Sequence, residues 1–158
     1  MKPINLKRLI IAVLIPLAVG GLSALLSGNI SGKYTDFAQP PLSPPAIIFP
    51  IVWTILYTIM GIASYLVYED PTSNRAKKED ALLYYGLQLF ANFLWSIIFF
   101  RFDAYWFAFT VIIVLIALVI ITMLKFRKIN KTAFYLLIPY LIWLLFATYL
   151  NIGVAVLN

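Results

Sequence analysis

The chain contains neither cysteine nor histidine. These two absences remove disulfides, thiolate nucleophiles, Fe–S clusters and the commonest haem-iron ligands. Charge is also scarce. Only 11% of residues are charged against 63% hydrophobic, and the mean hydropathy is +0.96, far outside the range of a water-soluble domain. None of the long apolar stretches holds a carboxylate. A proton relay or sodium site inside the membrane normally needs such groups, so ion-coupled transport is disfavoured. There is no low-complexity segment and no internal repeat of the kind that builds transporters from duplicated halves.

Five charge-free apolar stretches cover residues 9–26, 46–68, 81–100, 104–124 and 132–157. A bilayer core is crossed by about 20 apolar residues in helix, so the pattern predicts an all-α integral membrane protein. We read residues 1–158 as a single domain, a bundle of five transmembrane helices. A membrane β-barrel would alternate apolar and polar residues, and these stretches are apolar throughout. The first stretch has the basic start of a secretory signal. It exceeds the about 7 to 15 residues of a signal's apolar region and is expected to remain as the first span.

The net charge is +6. Lys2, Lys7, Arg8, Arg75, Lys77, Lys78, Lys125, Arg127, Lys128 and Lys131 fall on one side of the five-span topology, and only Lys33 and Arg101 on the other. This asymmetry predicts a multi-pass protein of the cell membrane with a cytoplasmic N-terminus, and with the C-terminus and first loop outside. The charges thus read as topology and not as a nucleic-acid surface.

The run from Pro40 to Tyr57, PPLSPPAIIFPIVWTILY, places five prolines where a polar loop becomes a membrane helix. Proline fixes its own φ and turns the preceding residue away from helix, so residues 39–45 are predicted to be stiff and extended within an outer loop of residues 28–45. Residues 101–103 are predicted to form a tight outer turn and residues 126–131 the last inner connection. The cluster Gly20, Gly21, Ser23 and Ala24 lets another helix or a ligand approach the first span, with packing the simpler reading.

Three spans each carry aromatic and amide groups on one helical face. Phe49, Trp53, Tyr57 and Gly61 follow at i+4 steps in the second span; Gln88, Asn92, Trp95 and Phe99 share a face of the third; Tyr140, Trp143, Ala147 and Asn151 share a face of the fifth. Amides at bilayer depth either join helices by hydrogen bonds or contact a ligand, and both readings stand for Gln88, Asn92 and Asn151. Tyr34, Tyr68, Tyr84, Tyr85, Tyr105 and Trp106 suit an interfacial belt. Trp53, Trp95 and Trp143 recur on the amide faces instead, suggesting a cavity of flat π-surfaces suited to a large planar apolar ligand with some polar edge, such as a tetrapyrrole.

The proline block, GIASY at Gly61 to Tyr65, QxxxNxxWxxxFF from Gln88 to Phe100 and PYxxWxxFATxLN from Pro139 to Asn151 together resemble the TspO/MBR family, the bacterial relatives of the mitochondrial translocator protein. The resemblance implies a five-helix membrane receptor, commonly a homodimer, with a pocket under the first loop for porphyrins and benzodiazepine-type drugs. The family's two pocket tryptophans, tied to porphyrin binding and light-dependent porphyrin breakdown, look like Trp53 and Trp143. Its loop aromatic, third-helix asparagine and fifth-helix small residue look like Tyr34, Asn92 and Ala147. The expected ligand-binding set is Tyr34, Pro44, Phe49, Trp53, Tyr57, Gln88, Asn92, Trp95, Tyr140, Trp143, Ala147 and Asn151, with Trp53 and Trp143 as the candidate catalytic pair. No cofactor is expected to be required, and no metal site is expected.

Two departures stand out. The sterol motif of animal relatives needs a basic residue after Tyr149, and none follows. Ala81, Gly86 and Ala91 are spaced by five, which drifts around the helix instead of forming a dimer seam. Met60 and Met123 are the only sulfurs beyond the initiator, and neither lies on the aromatic faces. A metal-free porphyrin, or a haem held by ring and propionates, therefore fits best, with Lys33 and Arg101 as candidate propionate contacts. Any enzymatic activity would be a weak, light-dependent one. The alternatives are a carrier of porphyrins and related apolar compounds, or a stress-linked regulatory membrane protein.

Overall fold

A computed structural model describes residues 3–158. Lys2 lies outside the described residues. The elements are α1 (Leu6–Ser27), α2 (Ile30–Asp36), α3 (Ile48–Tyr68), α4 (Arg75–Ser96) continued by a π-helical turn (Ile97–Arg101), α5 (Tyr105–Ile129) and α6 (Lys131–Leu157). Among the described residues there is no strand, and five helices are long and apolar enough to cross a membrane: α1, α3, α4 with its π-turn, α5 and α6.

Asparagine starts four of the six helices. The side-chain oxygens of Asn5, Asn29, Asn74 and Asn130 accept from the backbone N–H of Arg8, Gly32, Lys77 and Ala133, respectively, at 2.9–3.1 Å. Each cap satisfies a donor that the first helical turn leaves without a partner. The caps shorten the predicted connection at residues 126–131 and the charged segment 69–80 left between the second and third apolar stretches. Capping at Asn74 and Asn130 lets the charged inner segments wind into helix, so Arg75 to Asp80 belong to α4, Lys125 to Lys128 belong to α5, and Asn130 alone links α5 to α6. Lys, Arg and Glu are good helix formers, and Arg75 reaches Glu79 one turn on at 2.6 Å.

The outer loop also differs from expectation. The asparagine cap at Asn29 starts α2 inside it, and residues 39–45 are broken by a turn with Leu42 at φ 68°. The tight turn near residue 101 begins as the π-helical extension of α4 and closes at Asp103, whose φ of 52° an aspartate tolerates.

The spans form a ring in the order α1, α3, α6, α5, α4, closed by contacts between α4 and α1. Pro16 in α1 leaves the Ala12 carbonyl without its helical donor, and Gly61 of α3 faces that carbonyl. A β-carbon at Gly61 would lie 2.6 Å from the Ala12 oxygen and 2.5 Å from Val13 Cα, so the two backbones touch only because this residue is glycine. α1 is otherwise peripheral: its buried residues are Pro16, Ser23 and Ser27.

The half of the bundle away from α2 is filled by side chains. Met60, Ala63 and Val67 of α3 are fully buried with Phe126 of α5 and Ala133 of α6. Two of the tyrosines assigned to an interfacial belt are buried instead. Tyr85 stacks near Phe126, and Tyr34 is enclosed by the loop, whereas Tyr68 and Trp106 remain exposed. Ala81 and Ala91 pack within the bundle and only Gly86 of that triplet faces outward.

Candidate ligand-binding site

Beneath α2 the bundle encloses a cavity of about 410 Å³. Its walls come from α1, α2, α3, α4 with its π-turn and α6, and no charged side chain lines it. A cavity of this size is within the usual range for small-molecule sites. The i+4 spacing in α3 presents Phe49, Trp53 and Tyr57 to the space in a vertical stripe, with the Trp53 and Tyr57 rings stacked at 5.4 Å. Trp143 and Ala147 face them from α6. The Trp143 ring stands at 87° to Trp53 with centroids 6.5 Å apart, and at 62° to Phe49 at 5.8 Å. From α4, Asn92 and Trp95 complete the wall, and Trp95 stacks on Phe99 at 5.5 Å. Gly20 of α1 makes room for the Tyr57 ring, since a β-carbon there would sit 2.2 Å from it.

The floor is a directed chain of hydrogen bonds. Tyr57 donates to Asn92 Oδ1 at 2.9 Å, Asn92 Nδ2 donates to the Tyr140 hydroxyl at 2.8 Å, Tyr140 donates to Gln88 Oε1 at 2.7 Å, and Gln88 Nε2 points at Met60 Sδ, 3.7 Å away. Asn92, Tyr140 and Gln88 each have a donor used and an acceptor filled, the condition under which polar side chains are tolerated at this depth. A second link joins the walls. Trp95 Nε1 donates to Asn151 Oδ1 at 2.9 Å, and Asn151 Nδ2 donates to the Tyr105 carbonyl at 2.9 Å. The indole N–H of Trp143 is the exception, being buried with no hydrogen-bond partner. Trp95 is therefore pinned in place and Trp143 is held by packing alone.

α2 and the proline segment form the roof. The Tyr34 hydroxyl donates to the Pro44 carbonyl at 2.5 Å and Gln39 Nε2 donates to the Tyr34 carbonyl at 2.6 Å. Burial pushes the Tyr34 phenol above its ordinary value, opposed in part by Ser43, so it stays a neutral donor. Tyr149 donates to the Pro41 carbonyl at 2.6 Å, and the Pro40 ring fills the space over Gly153, where a β-carbon would lie 2.4 Å from it. Asn158 bonds Ala38 through both its oxygen and its nitrogen. On the opposite side Phe37 packs edge-on to Phe99 and Tyr105, and Lys33 pairs with Asp103 at 2.5 Å.

The expected residues fall into three groups. Tyr34, Phe49, Trp53, Tyr57, Asn92, Trp95, Trp143, Ala147 and Asn151 line the cavity. Gln88 and Tyr140 lie behind the floor, fully buried, and Pro44 meets the site only through its carbonyl. Lys33 and Arg101 do not reach the wall. Lys33 is engaged by Asp103, and Arg101 is exposed at the end of the π-turn. Among lining residues the sequence did not single out are Ile30, Ser96, Leu150 and Val154. Val154 is one helical turn after Leu150 and three residues after Asn151, so extending the α6 face by a turn finds it. Nothing in the local pattern marks Ile30.

Comparison with known proteins agrees with this architecture. The sequence model of the TspO/MBR family matches residues 12–157. The chain is 32% identical over 155 residues to the tryptophan-rich protein TspO of Archaeoglobus fulgidus, covering 98% of this chain and 99% of that one. It is 36% identical over 128 residues to the tryptophan-rich protein TspO of Chlorobaculum tepidum, covering 81% and 80%. It is also 32% identical over 118 residues to the translocator protein of Ovis aries, covering 75% and 70%. With its fold, its cavity and these matches together, the chain belongs to the TspO/MBR family.

Proposed function

We propose that the cavity binds tetrapyrroles, protoporphyrin IX foremost, together with haem and benzodiazepine-type molecules, and that it promotes photo-oxidative breakdown of bound porphyrin. The observation that carries this reading is the uncharged space of about 410 Å³ walled by Trp53, Trp95 and Trp143. Flat aromatic walls favour a planar apolar ligand, and offset or edge contacts between rings add about 0.5–1.5 kcal/mol each beyond area burial. Trp53 and Trp143 stand as the nearest oxidisable groups. The excited pigment acts as sensitiser and dioxygen as the oxidant that is reduced as the ring is oxidised, while the chain supplies binding, orientation and a closed pocket. Met60 lies below the floor against Gln88 and does not line the cavity, so a haem would be held by its ring and not through that sulfur.

The distribution of basic residues supports an orientation with α2 outside the cell membrane and the N-terminus in the cytoplasm. For the homodimer implied by family resemblance, α4 offers an exposed face of Leu83, Gly86, Leu87 and Phe90, on which Gly86 has open space.

Illumination of the purified protein with protoporphyrin IX tests the reading. Porphyrin absorbance should decay faster than in detergent alone, with a product band lost in Trp53→Phe or Trp143→Phe. Binding accompanied only by decay at the detergent rate would leave a receptor or carrier and remove the degradation step.

A further inference from the structure

The cavity is enclosed almost everywhere except along one edge. Of the residues facing it, Ala24 near the end of α1, Ser31 at the start of α2, and Ile47 and Pro50 at the start of α3 are exposed, and the others are buried or half-buried. The opening therefore lies between the roof-side ends of α1 and α3. These two helices touch tightly lower down, where Gly61 meets Val13, and above Gly20 the side chains of α1 turn to the α4 side: Ser23 donates to the Phe93 carbonyl and Ser27 bonds Ser96. With those side chains engaged on α4, the exposed lining residues Ala24 of α1 and Pro50 of α3 flank the mouth.

What surrounds the mouth is apolar. Leu25 is 80% exposed and Ile51 51% exposed, and both sit on helices that cross the membrane, so their natural surrounding is hydrocarbon. The roof, by contrast, is fastened on its other sides by Pro40 over Gly153, Tyr149 to Pro41, Asn158 to Ala38 and Lys33 to Asp103. A ligand arriving from water through the roof would have to break these contacts, whereas one arriving from lipid meets an opening already formed.

We infer that the cavity exchanges its ligand sideways with the lipid leaflet on the α2 side, through the mouth between α1 and α3. It is loaded with membrane-dissolved, largely apolar planar molecules, including amphiphiles that carry an acidic edge, and not with solutes from water. This rests on the reading of the cavity as a ligand site. A planar apolar molecule partitions into the bilayer first, and the sideways route spares it a second passage through water. Ser31 is the one polar side chain on the open edge, so the ligand's polar edge trails toward α2.

The absence of native cysteine makes a direct test available. A single Ala147→Cys places a thiol on the cavity wall, and the protein is reconstituted in liposomes. Pyrene maleimide, which partitions into lipid, should label it at least about tenfold faster than a charged trimethylammonium thiosulfonate, and adding Ala24→Phe or Ile47→Trp at the mouth should slow pyrene labelling by about tenfold. Asp103→Asn, which releases Lys33 while tolerating the local backbone, should change neither rate. Labelling by the charged reagent at a comparable rate, accelerated by Asp103→Asn and indifferent to the mouth variants, would overturn the inference in favour of access through the roof. Protoporphyrin IX binding to the same liposomes is measured separately. Lost binding with the predicted labelling pattern removes the tetrapyrrole and keeps the route; intact binding with the reversed pattern removes the route and keeps the tetrapyrrole.

Discussion

The two halves of the bundle use the same helices and nearly the same residue classes, yet one is solid and the other hollow. Away from α2, small and flexible side chains interdigitate: Met60, Ala63, Val67, Ala81, Phe126 and Ala133 are all fully buried. Near α2, rigid rings on α3, α4 and α6 meet edge to face, with Trp53 against Trp143 at 87° and Phe49 against Trp143 at 62°. Rings so arranged cannot collapse into the space between them. The hydrogen bonds of Trp95 to Asn151 and of Tyr57 to Asn92 set the distance between walls, and Gly20 lets the Tyr57 ring lie back against α1. Hydrophobicity alone does not decide whether a membrane bundle is packed. Side-chain shape and the polar contacts that hold the walls apart do.

The sharpest break of this comparison is a ring deletion in each half. Phe126→Ala opens a void in the solid half and should cost about 3–5 kcal/mol. Phe49→Ala removes a half-buried ring that already borders empty space and should cost less than about 2 kcal/mol. Denaturant unfolding in detergent measures both, and equal costs would mean that the roof-side half is packed as tightly as the other.

A smaller effect separates two tryptophans on the same cavity wall. Trp95→Phe loses the bond to Asn151 and strands a buried acceptor, for about 1–3 kcal/mol, while Trp143→Phe loses no hydrogen bond and should change stability by less than about 0.5 kcal/mol. Reversal of that order in thermal unfolding would show that Trp143 is anchored and Trp95 is not.

The smallest effect lies at the inner face, remote from the cavity. Burial tends to raise the Asp70 carboxyl, but hydrogen bonds from Thr72 and Asn130 and the charge of Lys78 outweigh it and hold it below the ordinary 3.8. A depressed folded value contributes stability that is present above the ordinary carboxylate range and lost as pH falls through the folded value. Wild type should therefore lose stability below about pH 4 by slightly more than Asp70→Asn, with no difference at pH 7 beyond a constant offset. Identical acid limbs in the two proteins would show that Asp70 is not specifically held.

The spans were legible because apolar runs of membrane length have few other readings, and the aromatic faces because i+4 spacing fixes direction around a helix. Periodicity gives the face but not the depth. Gln88 and Asn92 share a face, yet Asn92 borders the cavity and Gln88 lies a turn below it, tied to Tyr140. Helix α2 was hidden because seven residues containing Gly32 and Thr35 carry little helical signal until Asn29 caps them. The fit of Pro40 over Gly153 and the pairing of Lys33 with Asp103 join residues far apart in sequence, and no local pattern announces either.

The claim that the hollow half is a ligand site is tested most directly by filling it. Ala147 is buried on the cavity wall, and Ala147→Trp projects a ring into the space without touching the solid half. Protoporphyrin IX titration of both proteins, read by tryptophan fluorescence quenching, should show saturable binding to wild type and at least about a tenfold weaker affinity in the variant, with circular dichroism unchanged. Undiminished saturable binding in Ala147→Trp would place the porphyrin elsewhere and contradict the account.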